Sequence, residues 1–292
     1  MITINKSKDI LLISAKKIDK NLWNLSLNNS FNNNPLFSYE LLETSYKGQW
    51  SAIVKKDFSC LLPLPIKKQF INYKISFSPY HFYTTIIFKN KKCILEVWNH
   101  IFDFLKRIKI KNSIYFANIP DNKLQITQKT FFKLDLPYGM SLIQNNKFYQ
   151  IFEHKIHNLG LYTIYNINTN GILLFLLENI QEKYEILFNL IKQANNQKKL
   201  FSIGVYNKNS KLIYLSIFLY THTRIYLLYN ILLKDSKIDT NLCAYLVLVN
   251  LIQYFHNKNI TLEIPPYIDF VYNLPFKTIF KKIPLYKLSP KD

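Results

Sequence analysis

The stretch YLLYNILLKDSKIDTNLCAYLVLVN, from Tyr226 to Asn250, decides the fold. Its first residues are rich in branched and aromatic side chains, which predicts a β-strand. A polar loop follows, and then a helix over about residues 240–257 that is apolar nearly all round and is therefore expected in the core. Strand, loop and helix in this order are typical of proteins that hold a phosphate at a helix N-terminus. The loop here contains no glycine.

The flanking sequence extends this stretch into an α+β unit. Upstream, a pattern of period two appears in three runs, at 200–206, 211–220 and 224–233. The turns NKNS and THT separate them, which predicts an antiparallel meander of three strands. Two helices are predicted before them, over 141–160 with Gly160 at the C-cap, and over 176–196. Downstream, we expect a strand at 260–264, a loop with a short helix, and a last strand at 278–288.

The first half of the chain repeats this plan faintly. Two short helical patterns lie within 20–46, and the runs 50–56 and 58–68 predict a hairpin around Asp57. Two further strands are expected before an amphipathic helix over 93–110 and a strand at 113–119. Each half thus shows an apolar helix, a basic turn with asparagine, a β-run and a proline. This predicts duplication of one α+β unit, with domains at 1–138 and 139–292.

The formal charge of +20 suggests nucleic acid at first sight. Only Arg107 and Arg224 among the 38 basic residues are arginines, however, and specific phosphate and base contacts favour arginine. The lysines are scattered singly and in pairs among asparagine and isoleucine, a composition typical of an AT-rich coding sequence. The charge is therefore interpreted as solvated surface, and a general attraction to anionic surfaces remains as its consequence.

Cysteine use and hydropathy restrict the class of protein further. The three cysteines, Cys60, Cys93 and Cys243, are odd in number and widely spaced, so neither a metal site nor a disulfide framework is indicated. His154 and His157 have no third ligand nearby in sequence. A reducing cytoplasm is expected. The N-terminal apolar run of about six residues is shorter than a signal peptide requires, and no run reaches the ~20 residues of a membrane span.

The predicted order of elements in the second half resembles the GNAT acyltransferase fold. Residues 21–88 contain a more specific set of features: Trp23, residues 35–39, Trp50, residues 63–68 and the aromatic cluster at Pro79. In these features the chain resembles a group of Bacteroidetes proteins related to the Fem-type aminoacyltransferases of peptidoglycan cross-bridges. The resemblance implies an α+β fold of tandem GNAT-like units, each a mostly antiparallel twisted sheet flanked by helices.

The resemblance also implies a donor cleft within residues 226–272, between the fourth and fifth strands of the second unit. The donor would be acyl-CoA or aminoacyl-tRNA, without a metal. The donor-binding residues it implies are Tyr229, Asn230, Lys234, Lys237, Thr240 and Asn241. The glycine-rich pyrophosphate motif of the family is absent, since KDSKIDTN stands in its place. The alternative is an ordinary helix start capped by Asp239 or Thr240, with Asp239 a poor neighbour for an anion.

Acyl transfer to an amine needs a base and a proton donor for the leaving group. Glu263, on the fifth strand, is the candidate base, although alternation could equally point it to solvent. Tyr267 and Tyr272, just beyond, are the candidate proton donors. The chain has 21 tyrosines, most of which fill core or surface positions.

The sequence therefore favours a GNAT-type transferase that moves an activated acyl group to the amine of a small molecule or a cell-envelope precursor. The first alternative is a degenerate, non-catalytic GNAT-fold binding protein. The second is a nucleic-acid-binding protein; otherwise nucleic acid is expected only as donor tRNA. If Tyr245, Tyr267 or Phe270 fills the gap between the fourth and fifth strands, the transferase hypothesis fails. The sequence leaves the oligomeric state open.

Overall fold

The computed structural model describes residues 2–3, 9–69, 72–75, 78, 80, 83–90, 92–107, 114–117, 125–144, 149–180, 184–234, 236–265, 268, 274 and 280–288. The chain divides into two compact units: unit 1 contains Met1–Thr130 and Ile283–Asp292, and unit 2 contains Phe131–Lys282. Both contain helices and mostly antiparallel strands, so the fold is α+β, as the sequence predicts. The duplication and the division at 138/139 stay predictions.

Unit 1 is built on short antiparallel strands. Its strands are β1 (Ile2–Thr3), β2 (Ile10–Ser14), β3 (Ser51–Lys55), β4 (Cys60–Leu64), β5 (Ile66–Gln69), β6 (Asn72–Ile75), β7 (Thr84–Thr85), β8 (Ile87–Phe88), β9 (Ile114–Ala117) and most of β16 (Lys281–Leu288). Its helices are α1 (Lys20–Asn28), α2 (Tyr39–Tyr46) and α3 (Lys92–Arg107), with 3-10 turns at Ala15–Lys17 and Pro35–Phe37. One sheet has the order β1-β2-β3-β4-β8; β5 pairs with β6, and β9 pairs with β7 and β16.

Several predictions for unit 1 are confirmed. Strands β3 and β4 form the predicted hairpin, in which the Asp57 carboxylate accepts from the Ser59 amide at 2.9 Å. Helix α3 packs its predicted apolar stripe into a core with β4 and β9. The two tryptophans that carry the family resemblance lie together: Trp23 donates to the Phe37 carbonyl at 2.9 Å, and its ring meets that of Trp50 edge-on at 5.3 Å.

Unit 2 carries one larger sheet. Its elements are the end of β10 (Gln125–Asp135), α4 (Leu136–Gln144), α5 (Tyr149–Leu159), β11 (Tyr162–Tyr165), α6 (Thr169–Asn179), α7 (Glu185–Asn196), β12 (Leu200–Tyr206), β13 (Leu212–Tyr220), β14 (Arg224–Leu232), α8 (Thr240–Phe255) and β15 (Thr261–Ile264). The strand order is β11-β12-β13-β14-β15-β10. All these pairs are antiparallel except β14–β15, which is parallel.

Helix α8 forms the centre of unit 2, as its uniformly apolar sequence predicts. Eleven of its residues are buried, and they join one core cluster with residues of β10 and β12–β15. Helix α4 packs directly on α8 at Gly139, where an added Cβ would lie 2.7 Å from the Ile252 side chain. Helix α6 contacts β14, and helix α7 contacts β12.

The structure also corrects the predicted helices of unit 2. The single helix predicted over 176–196 is wrong: α6 ends at Asn179, Ile180 is extended, and α7 begins at Glu185. The helix predicted over 141–160 is described as α4 and α5, on either side of residues 145–148. Gly160 closes α5 at φ +59°, as predicted. Across the described parts of the chain, no helix is both long and apolar enough to cross a bilayer.

Candidate functional site

The candidate site of unit 2 begins where β14 and β15 part. The two strands pair only at Arg224, Ile225 and Tyr226, which face Thr261, Leu262 and Glu263. β14 then continues to Leu232, whereas β15 ends at Ile264. Pro265 and Pro266 follow β15 in the sequence, and proline cannot donate a ladder hydrogen bond. The two prolines therefore agree with the end of β15 at Ile264, one residue after its last pair with β14.

A bulge in β14 lies close to the point of parting. Ile217 of β13 faces Tyr229, and its neighbour Phe218 faces Leu227, so Leu228 is the extra residue. A bulge bends its strand and shifts the alternation of the side chains that follow. Asn230 and Leu232 consequently point to the α8 side of the sheet, where Asn230 donates to the Tyr214 hydroxyl at 2.7 Å. Tyr229 points to the opposite face by the same alternation.

The loop from β14 to α8 is held by specific hydrogen bonds. The Lys234 amide donates to the Asn179 side chain of α6 at 3.0 Å, and the Leu233 amide donates to the Ile213 carbonyl at 2.7 Å. The side chains of Lys234 and Lys237 are exposed. The loop thus places two lysines in solvent before α8 begins.

Asp239 occupies the N-cap of α8. Its carboxylate accepts from the Asn241 amide at 2.9 Å, and its carbonyl accepts from Leu242 at 3.1 Å. The carboxylate lies at the positive end of the helix dipole, where an anion would otherwise be stabilised. Burial, followed by the charge of Asp239, raises the pKa of Cys243 to about 12. The helix start at Thr240 and Asn241 is therefore an acid-capped terminus, which disfavours a bound phosphate.

Glu263 is buried in an ion-pair cluster. It is 2% exposed, and one of its carboxylate oxygens pairs with Lys133 of β10 at 3.1 Å and with Arg224 of β14. The neighbouring pair Ile225 and Leu262 lies in the core around α8, so alternation directs Glu263 to the opposite face. Glu263 therefore does not point to solvent. These contacts hold three strands together at the closed end of the pair.

The predicted site residues thus separate into three groups. Asn230, Thr240 and Asn241 belong to the α8 side and the start of α8. Tyr229 and Glu263 belong to the opposite face of the sheet. Tyr267, Tyr272 and Phe270 lie outside the described residues.

Tyr245 was a candidate to fill the gap, and its described contacts are with α5. Its hydroxyl donates to Glu153 at 2.9 Å, and its ring meets that of Phe152 at 4.9 Å. Burial and the hydrogen bond to Glu153 raise the pKa of Tyr245 far above its ordinary value.

Three partners in this region were not predicted from the sequence. Lys133 and Arg224 neutralise Glu263, and Tyr214 accepts from Asn230. The sequence could have pointed to Arg224, because it is one of only two arginines in the chain. It could not have pointed to Lys133, because nothing in the sequence shows that β10 lies beside β15.

No known sequence family matches the chain, and no curated protein sequence matches it either. Solved structures do. FemX superposes with a TM-score of 0.61 at 8% identity, over 96% of this chain and 97% of FemX. A conserved protein of unknown function from Bacteroides thetaiotaomicron superposes with a TM-score of 0.59 at 11% identity, over 94% of this chain and 98% of that one.

A third match is the C-terminal domain of a protein described as a lysylphosphatidylglycerol synthetase, from Agrobacterium fabrum. Its TM-score is 0.55 at 9% identity, over 92% of this chain and 91% of that domain. Identities this low establish the fold alone. The fold is GNAT-like and resembles that of Fem proteins, as the sequence resemblance implies.

Proposed function

We propose that this protein is a GNAT-fold transferase that moves an activated acyl group, most simply an aminoacyl group, onto an amine. The observation that carries the proposal is the parting of β14 and β15 after Tyr226, next to the bulge at Leu228. We propose that an extended donor lies along residues 227–232, beyond the last pair with β15. The amide or ester groups of a donor arm exchange hydrogen bonds with backbone N–H and C=O groups.

The chemistry requires one bond exchange. The amine nitrogen of the acceptor attacks the donor carbonyl carbon, a C–N bond forms, and the C–O or C–S bond to the leaving group breaks. The leaving alcohol or thiol departs with the bonding electron pair and takes up a proton, while the attacking amine loses one. Asn230 and Tyr229 are proposed beside the donor arm. Tyr267 and Tyr272 remain proposed proton donors, and Glu263 the proposed base.

The charge at the start of α8 favours one class of donor. Coenzyme A brings a pyrophosphate, which would meet the carboxylate of Asp239 if it bound at Thr240 and Asn241. An aminoacyl ester on tRNA does not need a phosphate at that position, and exposed Lys234 and Lys237 would suit a phosphate backbone. The names of two structural neighbours, FemX and a lysylphosphatidylglycerol synthetase, also favour aminoacyl transfer. We therefore propose aminoacyl-tRNA as the donor in preference to acyl-CoA.

A non-catalytic GNAT-fold binding protein is the second candidate, and two contacts favour it. The carboxylate of Glu263 is committed to two cations, and the start of α8 is committed to Asp239. A member of the fold that has lost transfer would keep such structural contacts. Binding of nucleic acid as the main function is favoured only by the net charge.

Thermal unfolding with candidate donors tests the proposal. We expect a charged tRNA with a non-hydrolysable, amide-linked aminoacyl group to raise the melting temperature, and acetyl-CoA or longer acyl-CoAs to raise it less. A ligand at 100 times its dissociation constant stabilises the native state by about 2.7 kcal/mol. A cooperative melt that no donor shifts would contradict the transferase proposal and favour the binding protein.

Lysine variants show whether the donor uses the loop before α8. Replacing Lys234 and Lys237 by alanine should weaken tRNA binding. The matched control replaces two exposed lysines elsewhere in unit 2, Lys192 of α7 and Lys211 of the β12–β13 turn. If both pairs of substitutions weaken tRNA binding equally, the lysines act by general electrostatic attraction and the loop is not a binding site.

A further inference from the structure

The outer side of α1 in unit 1 exposes apolar side chains. Leu22 is 44% exposed and Leu25, one turn later, is 55% exposed, while Trp23 and Leu27 form the buried side of the same helix. Phe31 follows directly and is 64% exposed. Its ring stacks on that of Phe88 in β8 at 6.2 Å, and its amide donates to the Phe88 carbonyl. These three side chains form what we call the α1 patch.

In the loop that carries Phe31, the polar side chains are buried and the aromatic ring is exposed, which is the reverse of an ordinary surface loop. The three asparagines that follow, Asn32, Asn33 and Asn34, are buried. Asn32 bonds the backbone of Ile86 and Phe88, and Asn34 donates to the Tyr83 hydroxyl at 3.0 Å. Polar side chains are usually exposed and phenylalanine usually buried. The loop is thus anchored by its asparagines while its aromatic ring is turned outwards.

The charges around the α1 patch are mostly positive. Lys16 and Lys17 are exposed just before α1, and Lys89 follows Phe88. Of the acids nearby, Glu40 pairs with Lys20 at 3.0 Å, and Asp19 caps α1 and is itself exposed. Lysines before a helix N-terminus oppose the helix dipole, so they do not serve to stabilise α1. Apolar residues flanked by lysines suit the boundary of a membrane that carries anionic lipids.

We infer that the α1 patch docks this protein on an anionic lipid bilayer. Leu22, Leu25 and Phe31 enter the boundary between headgroups and acyl chains, and the flanking lysines pair with lipid phosphates. The inference does not depend on acyl transfer.

Helix α6 of unit 2 provides a matched comparison. Its Leu174 and Leu177 are also exposed, at 60% and 47%. The exposed charges near them balance, because Glu178 of α6 and Asp239 are matched by Lys234 and Lys237 in the loop that α6 holds. Near the α1 patch, Lys16, Lys17 and Lys89 outnumber Asp19, so the surplus of positive charge favours the α1 patch over α6.

Vesicle sedimentation of the full chain tests the inference. The vesicles contain phosphatidylcholine alone or phosphatidylcholine mixed with phosphatidylglycerol. We expect binding to the mixed vesicles, and a fall of about tenfold or more in the partition coefficient when Leu22→Gln, Leu25→Gln and Phe31→Ser are combined. The control pair Leu174→Gln and Leu177→Gln should bind as the parent does. Lys16→Gln with Lys17→Gln should lower binding about fivefold per lysine.

Other outcomes would overturn the inference. The inference is wrong if the protein binds both kinds of vesicle equally, or if the α1 and α6 variants lose vesicle binding equally. It is also wrong if the triple variant binds vesicles as the parent does. Sedimentation velocity without lipid tests a different occupant: a concentration-dependent dimer that the triple variant abolishes would assign the α1 patch to a second copy of the chain. Unchanged melting curves for each variant establish that the comparison is between folded proteins.

Discussion

The two halves of β14 have different neighbours. The first half, Arg224 to Tyr226, pairs with β15, and beside it Glu263 joins β10, β14 and β15 through Lys133 and Arg224. The second half follows the bulge at Leu228, is only partly buried, and runs on past the end of β15. The difference suggests two purposes for one strand: the closed half stabilises the sheet, and the open half is where we propose that a ligand binds.

The largest expected effect tests the closed half. Glu263→Gln leaves Lys133 and Arg224 facing a neutral amide, and breaking a buried ion pair by removing one partner costs about 3–5 kcal/mol. Urea unfolding measures this loss. The control, Glu178→Gln on an exposed face of α6, should change stability by less than about 0.5 kcal/mol. If both variants unfold at the same urea concentration, Glu263 does not hold the closed half together.

The Glu263→Gln variant also tests whether Glu263 is a catalytic base or only a structural residue. If Glu263 is only structural, the transfer rate per folded molecule should survive in Glu263→Gln. If it is the base, that rate should fall by the 10²–10⁴-fold typical of general-base removal. Rates measured under conditions where the variant is fully folded distinguish the two cases.

A smaller effect is expected in the open half. Asn230→Ala removes a hydrogen bond to the buried hydroxyl of Tyr214, and a buried polar group that loses its partner costs about 1–3 kcal/mol. In a Tyr214→Phe background the same substitution should cost clearly less, which a double-mutant cycle measures. A cost that is equal in both backgrounds would show that Asn230 acts on stability through other contacts.

The pH dependence of this contact follows from the burial of Tyr214. Burial, opposed by the hydrogen bond from Asn230, raises the pKa of Tyr214 above its ordinary value of 10.0. A group whose folded pKa is raised contributes stability that is fully present below its unfolded pKa and is lost as pH rises above it. The stability of the parent should therefore fall above about pH 10, and Tyr214→Phe should fall less steeply.

The smallest effect concerns Asp239, at the far end of the loop. Asp239→Ala removes the N-cap of α8 and should cost about 1 kcal/mol. Asp239→Asn keeps a good cap without the charge and should change stability by only a few tenths of a kcal/mol. Isothermal titration then tests the donor. If acyl-CoA binds Asp239→Asn much more tightly than the parent while aminoacyl-tRNA is unaffected, the carboxylate excludes a pyrophosphate from the helix start.

Sequence patterns predicted the parts of unit 2 that have a clear period. The meander β12–β14 alternates, and α8 is apolar on every side, so burial follows directly from composition. The break between α6 and α7 was missed because Ile180, which ends α6, is itself apolar and continues the helical pattern. β11 was missed because it has only four residues, too few for a period to show in the sequence.

The candidate site was predictable only in outline. The sequence predicted Asp239 or Thr240 as the cap of α8, and the structure shows Asp239. The predicted phosphate contacts at Thr240 and Asn241 stay a prediction. The ion pairs of Glu263 were not foreseeable, because they join strands that are distant in sequence and adjacent only in the sheet. The two prolines after Ile264 were a usable signal for the parting of the strands, since neither can extend the ladder.

Hydrogen exchange along β14, with and without donor, tests the central claim most directly. Without donor, the amides of Arg224–Tyr226 should exchange more slowly than those of residues 229–232. Amide-linked aminoacyl-tRNA should then slow exchange at residues 229–232 and leave Arg224–Tyr226 unchanged. Equal protection along β14 without donor would contradict the open half, and a bound donor that protects neither residues 229–232 nor the start of α8 would contradict the proposed site.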